Sequence, residues 1–398
     1  MRENEHIGAR IAAWRRMRGL TQRELAESVN CSVSLMGKVE RGDRAATPVI
    51  IAGAARKLQV DRATLTGQPY PSRNRHEDQV HASVAAVRRE VASYRLPPEE
   101  QPVPVDLTTL WTLTRRVSAL RHRADLQGLG AALPEALHAL RTAAYASSGT
   151  VRESVMTMLA EVYYAARQFT HKAGYTDLTS LLGDRYEWAA EQTDDPHLLA
   201  LADVLRSGEL DAAGDSRGSR SVLAATVARF DLRAPTPQDL SIWGWLHLMS
   251  AYMAAHAGDA AATWAHYGEA HDAAERLGAD RDDYRLAFGP TNVGIWGTSL
   301  GVELMDSGEA LARADQVILT GRTPPERAGH HYIDLARAQL LHGRRKDALE
   351  SLQLARTITP QQVRYHPLAR DVVLTLAQAE RRSSSTLRGM AAWMGLEE

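Results

Sequence analysis

From residue 107 to the end, the chain carries helical periodicity and little else. Short breaks at Gly174, Gly214, Gly258, Gly308 and Gly343 cut it into Ala-rich stretches. No apolar–polar alternation of the kind a half-buried strand needs interrupts them. The breaks recur every roughly 35–50 residues, the period of a stacked pair of helices. One such pair cannot bury its apolar face alone, so neighbouring pairs must stack and share a core. The expectation is an all-α body of helical repeats over 107–398.

The N-terminal residues follow a different plan. "IGARIAAWRRMR", 7–18, sets Ile7, Ile11 and Trp14 at helical spacing, and Gly19 stops it. Thr21 opens "TQRELAES" with Glu24 three residues on, a capping box in which each side chain satisfies a free N–H of the other. A short turn, 29–31, leads to Ser32, a good N-cap, and a helix to Arg41 that Gly42 ends. "TPVIIAGAARKL", 47–58, opens with a cap residue and Pro at the first helical position. A short helix at 61–66 completes a five-helix head over 1–68. Residues 69–106 then form a linker: "PYPSRNRH", an amphipathic helix bearing Val80, Val84, Val87, Val91 and Tyr94, and the Pro-rich "LPPEEQPVPVD". That apolar seam suits packing within the chain better than a second chain, because it spans barely two heptads.

The net charge of −1 hides an asymmetry. Residues 1–75 hold about 14 Arg and Lys against about 7 Asp and Glu, roughly +7, which leaves roughly −8 for the rest. A basic head on an acidic body points to a polyanion as the head's partner. The single Cys31 excludes an internal disulfide and a multi-cysteine zinc site. No apolar run approaches a membrane span and no signal-peptide core is visible, so the cytoplasm is the expected location. Enzyme chemistry finds no support: there is no Gly-rich phosphate loop, no His pair at metal-binding spacing and no nucleophile elbow. No cofactor and no metal are expected. Asp194–Asp195 and Asp282–Asp283 read as loop charges.

Residues 1–68 resemble the Cro/phage-repressor (XRE) class of helix-turn-helix domains, through Arg15, Thr21, Gln22, Leu25, Ala26, Val33, Met36, Val39, Glu40, Arg41 and Gly42. The unit "YIDLARAQLLHGRRKDALESLQLARTITP" resembles a tetratricopeptide repeat, with Tyr332, Leu335, Ala336, Ala348, Leu352, Ala355 and Pro360 on its spacing; 245–270 matches more loosely. The whole chain is similar to actinobacterial XRE regulators with a tetratricopeptide-like C-terminal domain, a likeness resting on "GPTNVGIW", "YIDLARA" and "PQQVRYHPLARDV".

The resemblance implies a DNA-binding transcriptional regulator. Arg15 of the first helix would pair with Glu40 of the recognition helix. Gln22 would contact phosphate, with Arg41 and Arg44 as further phosphate candidates and Arg16 and Arg23 behind them; each of these arginines also suits an ordinary solvated surface. Ser32, Val33, Ser34 and Lys38 occupy the exposed recognition positions, and Gly37 would let the helix approach closely. One head offers little surface, so a homodimer on an inverted repeat of double-stranded DNA is expected. In the body, the repeat positions place Trp245, Leu248, Tyr252 and His256 on one groove-lining helix and His330, Ile333 and Arg337 on another, with Asn292 and Trp296 between. Such a groove would take a small-molecule or peptide effector, or recruit a protein partner without any small ligand. A Trp at helical spacing is more often core than ligand wall, so Trp245 and Trp296 suit the core better than the groove, and Asn292, after Pro290, suits a helix cap as well as a clamp.

Overall fold

The computed structural model describes residues 5–70, 79–97, 105–379 and 384–396. It is 76% helical, and the described residues contain no strand beyond an isolated bridge between Arg281 and Phe288. The chain divides into two compact units: 1–68 with 207–281 and 287–398, and 69–206 with 282–286.

The first unit begins with α1 (Ile7–Met17), α2 (Gln22–Ser28), α3 (Val33–Arg41), α4 (Pro48–Leu58) and α5 (Arg62–Thr66). The capping box is formed: the Glu24 N–H donates to Thr21 Oγ1 at 3.2 Å and the Thr21 N–H donates to Glu24 Oε2 at 2.7 Å. Ser32 and Thr47 accept the N–H groups of Leu35 and Ile50 at the starts of α3 and α4. Ile7, Ile11, Leu25, Met36, Val39, Ile50, Leu58 and Leu65 form one buried core, with Trp14 half-buried at its edge. Two glycines are required here. At Gly8 a Cβ would stand 1.8 Å from the Val39 carbonyl oxygen, so α1 meets α3 only because position 8 has no side chain. Gly42 ends α3 in the left-handed region at φ 79°, which other residues adopt at a cost.

The second unit holds α6 (Gln79–Ala82), α7 (Val84–Ala92), α8 (Leu107–His122), α9 (Leu126–Ala146), α10 (Gly149–Ala173), α11 (Thr176–Ala190) and most of α12 (Pro196–Ala212). Val80, Val84, Val87 and Val91 are buried, and Tyr94 meets Trp188 edge-on at 5.1 Å; α6 and α7 pack on α9. Asp195 is more than a loop charge: it accepts from Tyr284 Oη at 2.8 Å, beside His197. Residues 71–78 and 98–104 of the linker lie outside the described residues.

The first unit resumes with the end of α12, then α13 (Ser216–Val227), α14 (Pro237–His256), α15 (Ala260–Leu277), α16 (Pro290–Glu303), α17 (Ser307–Ala314), α18 (Pro325–Leu341), α19 (Arg345–Ile358), α20 (Pro360–Tyr365), α21 (Pro367–Ala379) and α22 (Ser385–Trp393). The pairs α14–α15, α16–α17 and α18–α19 are hairpins, and their first helices pack side by side, with α21 against α18. Ala336, Ala348, Leu352 and Ala355 are fully buried where α18 and α19 meet. Pro360 both follows α19 and opens α20. The break expected at Gly308 falls earlier, at Met305 (φ 61°), and Gly308 lies in the first turn of α17.

Candidate DNA-reading head and effector wall

The helix-turn-helix is fixed from within. Arg15, from α1, donates through Nε and Nη2 to the two carboxylate oxygens of Glu40 at 2.5 and 2.9 Å, and through Nη1 to the Leu20 carbonyl at 2.8 Å. The Glu40 side chain is only 4% exposed. A planar guanidinium facing a carboxylate in this fork fixes orientation as well as distance. It raises the Arg15 pKa, first through the hydrogen bond from Arg15 to Glu40. Gln22 Nε2 also donates to Glu40, at 2.7 Å, so one of its amide hydrogens is already used. Helices α1 and α2 thereby both converge on the C-terminal turn of α3.

The opposite face of α3 is open. Ser32, Val33, Ser34, Lys38 and Arg41 are exposed, Val33 to 44%. Gly37 is buried under neighbouring side chains: a Cβ would lie 3.3 Å from the Arg41 guanidinium and 3.7 Å from the Gln22 carbonyl oxygen. Arg41 pairs with Asp43 at 2.8 Å, both exposed, and Arg23 pairs with Glu27 on the surface of α2. Such pairs exchange readily for a phosphate. Arg44 is placed otherwise. Its Nη1 donates to the Leu341 carbonyl of α18 at 3.0 Å, so in this structure it braces the head against the repeats. Cys31 is half-buried, and burial raises its thiol pKa.

A family profile described as a helix-turn-helix domain matches residues 6–66. YazB, an uncharacterized HTH-type transcriptional regulator of Bacillus subtilis (strain 168), is 41% identical over 58 residues, 15% of this chain and 84% of that protein. The chain belongs to the helix-turn-helix family of transcriptional regulators. Two solved structures also match at low similarity. One is PlcR of Bacillus thuringiensis in complex with the peptide PapR7 and DNA, at 11% identity over 92% of this chain and 99% of that one, TM-score 0.30. The other is the apo form of the competence regulator ComR from Streptococcus vestibularis, at 12% identity over 100% of both chains, TM-score 0.26.

In this regulator the head shares a compact unit with the repeat helices, and two buried anchors hold it there. Asp371 of α21, 2% exposed, accepts the Ile7 N–H at 3.1 Å and the Ala46 N–H at 3.0 Å. Burial pushes its carboxyl up to about 6, against the pull of those two N–H groups and of the Arg10 and Arg337 charges. Arg62 of α5 donates to the Asp211 carboxylate at 2.6 Å and to its carbonyl at 3.0 Å. Asp211 also meets His256 Nδ1 at 3.2 Å. Burial alone would raise the Asp211 carboxyl, but the His256 hydrogen bond and charge and the Arg62 guanidinium hold it well below the usual carboxylate range.

The expected groove residues of the regulator gather on neighbouring first helices. Trp296 of α16 meets Trp245 and Tyr252 of α14 edge-on at 6.1 and 5.7 Å, and Tyr252 lies 4.1 Å from the His256 ring. Arg327 lies 5.5 Å from the Trp296 ring centroid and donates to Asn292 Oδ1 at 2.8 Å. Asn292 therefore clamps a neighbouring helix and does not cap its own; the N-cap of α16 is Gly289. His330 pairs with Glu326 at 3.3 Å and faces the His366 ring at 5.4 Å.

Arg337 is an internal strut. It is 7% exposed and donates to Glu303 at 3.0 Å and Asp334 at 2.7 Å. Leu248 and Ile333 are fully buried core and not wall. What remains at the surface of the wall is Trp245, Tyr252, Trp296 and His330, all half-buried. Trp296 Nε1, His256 Nε2 and Glu303 Oε2 have no hydrogen-bond partner among the described residues.

The residues that sequence reasoning missed are Asp371, Arg62, Asp211, Glu303 and Asp334. A signal existed for one of them: Asp371 stands beside Val372 and Val373 on a buried helix stripe, where a lone carboxylate requires a partner.

Proposed function

We propose that the protein is a DNA-binding regulator whose repeat helices sense an effector and pass its presence to the head. Base contacts come from Val33, Ser34 and Lys38, phosphate contacts from Arg41, Gln22 and the Ser32 end of α3. Lys38 suits guanine O6 and N7, and Val33 suits a thymine methyl. With so few polar readers, selectivity rests also on DNA shape and on two heads held at a set spacing, hence a homodimer on an inverted repeat. Residues 1–68 are the DNA-binding module, 69–106 the connection and 107–398 the sensing and dimerising module.

The observation that carries the sensing half is a chain of contacts: Tyr252 on His256, His256 on Asp211, Asp211 on Arg62 of the head. An effector seated on Trp245, Tyr252 and Trp296 reaches the head through three side chains. The aromatic edges and partnerless polar atoms suit a ligand with both apolar and hydrogen-bonding groups, such as a peptide. The shift in DNA affinity can be no larger than the effector's preference for one head placement over the other. The test is selection of genomic DNA fragments by the full chain, with and without cell extract. Enrichment that extract changes supports the reading. No enrichment under either condition removes the regulator half, and enrichment indifferent to extract removes the sensor half.

A further inference from the structure

A cavity of about 210 Å³, lined by none of Trp245, Tyr252, Trp296 or His330, lies between residues 43–47 of the head and helices α16, α18, α19 and α21. We propose that it binds a small amphiphilic organic anion: a carboxylate on a short apolar tail. Its size is that of about seven water molecules, below the roughly 300–1,000 Å³ of sites for drug-sized ligands, and so fits a small metabolite. Val302, Leu340, Leu368, Val372 and Ala379 supply an apolar lining. Among them stands Thr375, 2% exposed, whose hydroxyl has no hydrogen-bond partner among the described residues. A buried hydroxyl left without a partner carries a desolvation cost that a ligand oxygen would remove.

The charge around the cavity is unbalanced. Asp43 is the lone acidic residue among the described lining, and Arg41 already pairs with it at 2.8 Å. Arg337, which also lines the cavity, is neutralised by Glu303 and Asp334. Arg44 uses one N–H on the Leu341 carbonyl and keeps four further donors. Arg345 is exposed at the first position of α19, where the helix dipole adds to its charge, and has no ion pair among the described residues. Two guanidiniums with donors to spare, a helix N-terminus, apolar side chains and one idle hydroxyl in a single lining select an anion with a tail. This site is independent of the aromatic wall and stands whether or not that wall takes an effector.

The experiment titrates the full chain calorimetrically with hexanoate, with neutral hexanamide and with inorganic phosphate. Hexanoate should saturate one site per chain, with hexanamide and phosphate each weaker by about tenfold or more, since each lacks either the charge or the tail. Arg345→Ala should weaken hexanoate about tenfold. Thr375→Val should weaken it about fivefold without lowering the melting temperature, because the hydroxyl it removes has no partner to lose. Amides of residues 43–47 should exchange more slowly with hexanoate bound. The proposal is overturned if hexanoate shows no saturable binding to folded protein, if hexanamide or phosphate matches it, or if both variants bind as tightly as the parent.

Discussion

Arg15→Ala tests how the reading helix is held. The substitution leaves the Glu40 carboxylate, 4% exposed, with only the Gln22 amide at 2.7 Å to hold it. Removing one partner of a buried ion pair costs about 3–5 kcal/mol, mostly as the penalty for the charge left behind. The Arg15 side chain is itself 12% exposed, so water can partly replace it and the lower end, about 3 kcal/mol, is expected. Replacing both partners by apolar residues, Arg15→Met with Glu40→Leu, should recover most of that loss, because the buried charge is gone. The assay is amide hydrogen exchange of α3 in the full chain, which reads opening of this element without treating a two-unit chain as two-state. A loss of 3 kcal/mol appears as a roughly hundredfold fall in protection at Met36 and Val39. Operator affinity should fall in parallel. Unchanged α3 protection in Arg15→Ala, or a double variant as damaged as the two single variants combined, would refute the argument that Arg15 stabilises α3 by neutralising Glu40.

Gly8→Ala places a Cβ 1.8 Å from the Val39 carbonyl oxygen and should cost about 3 kcal/mol or more, seen as a lower melting temperature. Lys38→Ala should relax specificity at one base pair, whereas Arg41→Ala should weaken all sequences alike and flatten the salt dependence; binding to a set of single-base operator variants separates the two. The Asp371 carboxyl, pushed up to about 6 from 3.8, contributes stability that is fully present below pH 3.8 and lost as pH rises through 6. The swing is about 3 kcal/mol. Thermal melts of the parent and Asp371→Asn across that window should differ in slope, and parallel curves would contradict the assignment.

Local chemistry made the head legible. The capping box at Thr21 and Glu24, the Ser32 cap, and Gly19 and Gly42 as stops are all decided within a few residues, so a one-dimensional reading finds them. The Ala336–Ala348–Leu352–Ala355 seam was legible for a related reason: the facing helices of a hairpin are close in sequence. The aromatic wall was partly legible. Repeat spacing assigns Trp245, Tyr252 and Trp296 to one side of their helices, but it cannot distinguish a wall from an internal ion pair, and Arg337 proved to be the second.

What the sequence alone determined is the set of helices, their ends and which stripe of each is apolar, because those follow from spacing and capping within one turn. What only the tertiary structure decided is which charges are buried and against what. Asp371 accepts an N–H 364 residues away, Arg62 reaches Asp211 across 149 residues, and Arg44 braces α18 from the head. No periodicity encodes such pairs. They form because a buried carboxylate or guanidinium costs several kcal/mol without a partner, and the fold that satisfies all of them at once is a property of the packed chain.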